Sequence, residues 1–428
     1  MSSITLTAST TPPFDITRGV QRTRLANGLT VLTREAHQKP LVSSVIWYRA
    51  GSRNEELGQT GKSHFLEHML FKGTDRLSKG EIDLITLKNG GSNNAFTDTD
   101  FTAYYFNFAA DRWQVALEIE ASRMISNTFE LAEYEAEKQV VEEELRIGLD
   151  DPWEALDQAV WATAYRQHPY HNPVIGWLED LQRATRDEME AYYRQWYHPR
   201  NATLVIVGDF ETAKVLQRIE ELFGAIPTGP TPKPMRLTEP PQRGERRVIV
   251  KKQTEVERFQ AGYHAPQVAH SDAYALQVLD AILGTGKTSR LYRRLEERDQ
   301  SVTHFSVDYY DRIDPTLFLL RAEIRPTHQL AAVERAIDEE IDRCQQAPVT
   351  DEELARARQL IRARFVLGNE QVSSQAVTLG YYEMIHSYEY LSGFFARLDE
   401  VTADAVQQVA QRYLVADNRT VGWLVNED

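Results

Sequence analysis

The 428-residue sequence predicts an α+β protein made of two related halves, and three observations carry that reading. The first is an internal repeat. Residues 185–208 read T-R-D-E-M-E-A-Y-Y-R-Q-W-Y-H-P-R-N-A-T-L-V-I-V-G, and residues 402–425 read T-A-D-A-V-Q-Q-V-A-Q-R-Y-L-V-A-D-N-R-T-V-G-W-L-V. Without a gap, Thr185, Asp187, Asn201 and Thr203 meet Thr402, Asp404, Asn418 and Thr420. Each copy reads as a helix with an aromatic-bearing end, a turn with Asn, and a strand. The second observation is the proline-rich stretch from Pro227 to Gly244, which suits neither a helix nor a central strand and reads as a semi-rigid linker. The third is that both halves open alike. Val42–Ala50 and Arg258–Ala265 alternate apolar residues as strands do, and a helix follows each. Strands and helices mix without the regular alternation of a doubly wound sheet, hence α+β. The expected limits are residues 15–227 for a first domain, 228–244 for the linker and 245–428 for a second domain. Each domain is then about 200 residues, a usual size.

Taken in chain order, the first fourteen residues, M-S-S-I-T-L-T-A-S-T-T-P-P-F, lack an apolar signal core and read as a frayed leader. After the opening strand comes His64-Phe65-Leu66-Glu67-His68. At 100° per residue, His64, Glu67, His68 and Phe71 share one stripe of a helix, while Phe65, Leu66, Met69 and Leu70 form the opposite stripe. The apolar stripe can be buried, leaving the polar one to line a cavity. Thr60 and Gly61 are plausible caps, and Gly73 is a stop signal. Imidazoles at i and i+4 reach one ion, and zinc favours neutral imidazole and carboxylate ligands while keeping a position for water at a catalytic site. Glu67 need not be a ligand; beside His68 it suits a general base. A histidine-bearing amphipathic helix without metal is the plainer alternative, but H-x-x-E-H is the inverted zinc-peptidase signature.

Gly90-Gly91 end a further helix, after which Asn93–Thr97 and Phe101–Phe108 read as strands around an Asp98-Thr99-Asp100 turn. An exposed edge strand there would bind extended peptide by main-chain pairing. The helical segment Glu130–Leu149 offers the third zinc ligand. Its helical phase puts Glu137, Val140, Val141 and Glu144 on one face about 80° wide and turns Glu142 and Glu143 away. Two carboxylates on a valine-lined face are costly to bury without a compensating cation or strong hydrogen bonds. Glu144 is therefore the expected ligand, with Glu137 behind it orienting the site. In the second half, the helix around Ala273–Leu279 carries no metal-binding residue, so that half keeps the fold and lacks the site. Gly284-Thr285-Gly286-Lys287-Thr288 imitates part of a phosphate-binding loop. Its preceding segment reads as a helix where such a loop needs a strand, and the first glycine position holds Ala281.

Composition bounds the function. A hydrophobic content of 42% with 26% charged residues fits neither a disordered chain nor a membrane protein, and no window nears 18 consecutive apolar residues. A net charge of −15 argues against general nucleic-acid affinity and suits attraction of cationic peptides if the acids line a cavity. Cys344 is the lone cysteine, which rules out an internal disulfide and fits a reducing, cytoplasmic setting.

H-F-L-E-H-M-L-F-K-G-T, followed 76 residues after His68 by Glu144 within E-K-Q-V-V-E-E-E-L, resembles the pitrilysin/insulinase zinc peptidases. The nearer likeness is to the subclass that contains mitochondrial processing peptidase and its bacterial relatives. A-G-S-R-N-E and N-G-G-S-N-N-A-F-T-D-T-D-F-T-A-Y-Y are also similar to that family, and the resemblance spans nearly the whole chain. It implies two domains, each a sheet with helices packed on one face. It also implies endopeptidase activity, with His64, His68 and Glu144 as zinc ligands, Glu67 as base, and Asn94 and Ala95 holding substrate. Active single-chain relatives commonly carry an arginine and a tyrosine seven residues apart after an S-R-L-Y element. Here those places are Glu296 and Thr303, with Arg293, Arg294, Tyr309 and Tyr310 nearby. The resemblance therefore implies a heterodimer in which a metal-free paralogue supplies that pair and the two chains enclose unfolded peptide. The rival expectation is a non-catalytic core or assembly subunit of the same fold.

Overall fold

The computed structural model describes residues 14–427. In the first half, strands β1 (Gln21–Arg24), β2 (Thr30–Glu35) and β3 (Leu41–Tyr48) precede helices α1 (Lys62–Met69) and α2 (Glu81–Lys88), then the hairpin of β4 (Ser92–Thr97) and β5 (Thr102–Ala109). Helices α3 (Trp113–Ile125), α4 (Leu131–Asp150), α5 (Pro152–Ala164), α6 (Leu178–Arg183) and α7 (Arg186–Trp196) lead to β6 (Ala202–Gly208) and α8 (Thr212–Phe223). The second half runs through β7 (Arg246–Lys252), β8 (Arg258–Ala265), α9 (Ala273–Gly284), β9 (Val302–Tyr309) and β10 (Thr316–Ile324). It continues with α10 (Leu330–Gln346), α11 (Asp351–Gly368), α12 (Val372–Ile385), α13 (Phe394–Glu400), α14 (Ala403–Tyr413) and β11 (Arg419–Asn426). Of the leader expected at residues 1–14, residues 1–13 lie outside the described residues. Phe14 packs edge-on against Phe365, with ring centroids 6.3 Å apart, so it belongs to the fold.

The two halves repeat one sheet plan. The first sheet has the order β1-β2-β6-β3-β5-β4 and the second β7-β11-β8-β10-β9. In each, the last strand of the half lies parallel to an early one, β6 beside β2 and β11 beside β7, and the remaining pairs are antiparallel. The sequence repeat coincides with this equivalence down to side chains. Thr185 and Thr402 both cap their helices through the hydroxyl. Asn201 Nδ2 donates to the Trp196 carbonyl at 2.8 Å, and Asn418 Nδ2 donates to the Tyr413 carbonyl at 2.8 Å. The same amide thus satisfies a carbonyl at the same helix end, which would otherwise have no partner.

Alternation along the central strands explains the layers. Ile46 and Tyr48 face the core shared with α1, while Val45 and Trp47 face the other side. Phe318 and Leu320 likewise face α9, and Leu317 and Leu319 face away from it. Strands apolar on both faces require cover on both. The second cover is exchanged between halves. Helix α12 of the second half packs on β3 and β6, and α5 of the first half packs on β7, β8 and β11. The expected helical layer of each half is present on one face of its sheet, and one helix of the opposite half covers the other face. Gly380 in α12 lies so close to the Trp47 indole that a Cβ has no room. The indole cannot retreat, because Phe96 and Phe101 meet it edge-on with centroids 5.5 and 5.0 Å away. Gly380→Val is expected to destabilise the fold by about 3 kcal/mol through overpacking. A urea-unfolding midpoint equal to the parent's would show that α12 has slack the packing denies. No described helix is long and apolar enough to cross a membrane.

Candidate metal centre and active-site cavity

Helix α1 is held at its start by a carboxylate. Gly61, with φ of 86°, makes the left-handed turn into the helix, and Glu55 accepts from the Gly61 and Ser63 amides at 2.7 Å each. Those two bonds satisfy otherwise orphaned donors of the helix N-terminus, while burial, outweighing them, pushes the Glu55 carboxyl up to about 8. Phe65, Leu66, Met69 and Leu70 are all fully buried, and Phe65 stacks on Tyr134 of α4 at 5.0 Å. The apolar stripe thereby fixes α1 in the core beside α4 and leaves His64 and Glu67 of the polar stripe bordering a cavity.

His64 and His68 stand with ring centroids 4.8 Å apart. Glu144 of α4 reaches them from across the gap, 3.7 Å from His64 Nε2 and 3.5 Å from His68 Nε2. One ligating atom from each of the three residues falls within 4.8 Å of the others. Two atoms bound to one tetrahedral zinc at its usual distances lie roughly 3.4 Å apart, so this donor set fits that ion. His68 Nδ1 is 2.9 Å from Glu137 Oε1, which leaves Nε2 as the ring's free lone pair. Glu137 is itself held by Lys72 Nζ at 2.5 Å. Burial, then the neighbouring His68, lowers the His64 pKa to about 4, so that ring is neutral and ready to ligate. Burial also lowers His68, but the Glu137 bond and the Glu144 and Glu67 charges outweigh it and raise that ring above its usual value.

The α4 face departs from expectation in one respect. Val141 and Glu137 are buried, but Val140 is 50% exposed and the Glu144 side chain 49% exposed. The desolvation argument therefore applies to Glu137, which Lys72 and His68 compensate, and not to Glu144, which borders open space. Glu142 and Glu143 turn away as expected and pair with Arg146.

Glu67 sits beside this centre. Its carboxyl is raised, chiefly by burial and further by Glu144, against the hydrogen bond from Thr97 and the charge of His68. A cavity of about 1040 Å³ opens over His64, Glu67 and Glu144. Ala95, Phe96 and Thr97 form one wall; Trp153 and Trp161 of α5, and His304, Tyr310, Arg312 and Arg321 of the second half, form others. Strand β4 is one of the two edges of the first sheet, β1 being the other. Ala95 lines the cavity and Asn94 does not; the Asn94 side chain instead accepts from the Ala95 amide at 2.9 Å, a bond an incoming strand would displace.

Residues 30–177 match the family model described as Insulinase (Peptidase family M16), and residues 183–361 match the one described as Peptidase M16 inactive domain. The zinc protease PqqE of Helicobacter pylori is 30% identical over 408 residues, covering 94% of this chain and 91% of that one. The chain belongs to the insulinase, or M16, peptidase family. The crystal structure of a protease from Helicobacter pylori superposes on this M16 chain with a TM-score of 0.91 at 29% identity, covering 95% of this chain and 99% of the other. A peptidase M16 inactive domain from Pseudomonas fluorescens, 18% identical, shares the fold with a TM-score of 0.85 over 96% of this chain and 98% of its own.

The positions expected to differ from active single-chain relatives are set apart from the cavity of this M16 protein. Glu296 belongs to a π-helical stretch, Tyr292–Arg298, and the Thr303 hydroxyl on β9 donates to Glu323 at 3.2 Å; neither lines the cavity. Of the nearby alternatives, Arg293 and Arg294 line a separate concavity. Tyr309 is buried, with its hydroxyl donating to the Pro266 carbonyl, and Tyr310 alone of the four reaches the cavity. The cavity's own arginines, which sequence reading missed, are already engaged: Arg312 with Asp98 and Arg321 with Asp157, each at 2.6 Å. The Gly284–Thr288 segment begins at the last residue of helix α9, so it lacks the strand-to-helix turn that gathers amides around a phosphate.

Proposed function

We propose that this chain is a zinc-dependent endopeptidase and the catalytic subunit of a processing-peptidase-like heterodimer. The observation that carries this reading is the convergence of His64 Nε2, His68 Nε2 and a Glu144 oxygen beside an unligated Glu67 in a cavity. His64, His68 and Glu144 would hold the zinc, with Glu137 and Lys72 fixing the His68 ring. Bound there, zinc supplies a Lewis acid that polarises a peptide carbonyl and acidifies water. Glu67 takes the proton of the attacking water and returns it to the departing amine, and its elevated pKa favours that exchange. The free edge of β4, at Asn94 and Ala95, takes the peptide as an added strand, so the substrate must be extended and locally unfolded. Glu154 on the α5 wall, unlike Asp157 with its Arg321 partner, adds negative charge that suits basic side chains.

The donors that stabilise the oxyanion are assigned to a metal-free paralogous subunit, because Arg312 and Arg321 are spoken for, Glu296 and Thr303 cannot serve, and Tyr310, the one nearby alternative on the cavity, has no free arginine beside it among the described residues. A homodimer would repeat the same deficit. The test is peptide hydrolysis by the purified chain, with and without a paralogue that carries the arginine and tyrosine. The zinc-loaded chain alone is expected to run about 10²–10³-fold slower than the mixture, the usual cost of lost oxyanion donors. Equal rates would overturn the need for a partner. A chain that takes up no zinc would instead favour the non-catalytic core-subunit reading.

A further inference from the structure

Strand β4 carries a residue that neither the metal chemistry nor the peptide edge uses, two positions after Ala95. The Thr97 hydroxyl lies 2.6 Å from Glu67 Oε2. A threonine hydroxyl has one proton to give, and its destination here is determined. Thr102 Oγ1, 3.3 Å away, is the other oxygen in reach, but its own proton goes to the Ala50 carbonyl at 2.8 Å. The carboxylate has only lone pairs to offer. Thr97 therefore donates to Glu67, and among the described residues it is the hydrogen-bond partner that Glu67 has.

We infer that Thr97 is the positioning residue for Glu67: its hydroxyl holds Oε2 so that Oε1 faces the reacting water. The inference rests on the assignment of Glu67 as base. Three features make the hold rigid. A β-branched side chain has a restricted χ1 in a strand. Thr97 is paired with Thr102 across the β4–β5 ladder. The turn that follows is clamped from the second half, where Arg312 reaches Asp98 and Thr99, and the Ile313 amide donates to Asp100 at 3.2 Å. One strand thus presents the peptide-binding edge and orients the base, which makes substrate register and base geometry a single structural unit.

The experiment compares the parent chain with Thr97→Val, which keeps shape and branching, and Thr97→Ser, which keeps the hydroxyl. Zinc content, kcat and KM are measured with the paralogue present, and each metal-free variant is crystallised. Thr97→Val is expected to keep its zinc and its KM within about twofold while kcat falls about 10- to 100-fold, the worth of a hydrogen bond to a charged group. Thr97→Ser should recover most of that loss. In the metal-free Thr97→Val crystal the Glu67 carboxylate should leave its position, a readout independent of turnover. An unmoved Glu67, an unchanged kcat, or a serine variant as slow as the valine one would overturn the inference. An active parent with any of those results leaves the peptidase reading standing, whereas a parent without zinc or hydrolysis sinks that reading and leaves the Glu67 orientation to judge Thr97.

Discussion

Glu67→Gln is expected to keep zinc at the parent stoichiometry and to lower peptide hydrolysis by about 10²–10⁴-fold. The substitution preserves shape, and the amide oxygen can still accept from the Thr97 hydroxyl 2.6 Å away. The ligand atoms of His64, His68 and Glu144 are untouched, since Glu67 is not among the three that converge. What disappears is the capacity to take a proton and give it back. Metal analysis alongside a fluorogenic peptide assay separates these effects. Turnover within about tenfold of the parent would place the base elsewhere, and loss of zinc would make Glu67 a ligand; both contradict the proposed role.

How much of this site is legible in one dimension depends on how local its physics is. The α1 stripe obeys helical phase, so the orientation of His64, Glu67 and His68 follows from spacing, as does the separation of Glu144 from Glu142 and Glu143 on α4. The edge position of β4 is legible only as a hairpin; its place at the end of a six-strand order is a property of the sheet. Lys72 and Thr97 carry no separate signal, because each acquires meaning through one partner on another element, Glu137 and Glu67. The exchange of α5 and α12 between halves is equally hidden. Both helices read as ordinary members of their own half, and only glycines such as Gly380, set against Trp47, hint at a close crossing. The exposure of Glu144 could not be deduced from its valine neighbours, since Val140 faces outward too. The visible repeat between residues 185–208 and 402–425 survives because a cap, an Asn bond and a buried strand constrain the same positions twice.

Glu144→Gln should reduce zinc affinity by about 100-fold or more, exceeding the 10- to 100-fold that loss of an outer partner such as Glu137 brings. Glu144 is the one carboxylate among the three converging donors, and replacing it leaves two neutral rings facing a dication. Its exposure means that the variant buries no new unpaired group, so folding should survive and the loss can be read as a metal effect. Chelator competition at fixed pH measures it. The acid limb of the same titration distinguishes the two glutamates. A proton on His68 blocks ligation, so affinity falls as pH drops through the raised pKa of that ring, above the usual imidazole value. Glu137→Gln keeps an acceptor for the ring but removes the negative charge that helps raise it, and its acid limb should move to lower pH even as affinity weakens. Should Glu144→Gln retain the parent's zinc affinity, the ligand would have to be Glu143 or Glu137. Glu143 points towards Arg146, and Glu137 is held between His68 and Lys72, so α4 would have to rotate about its axis to present either one.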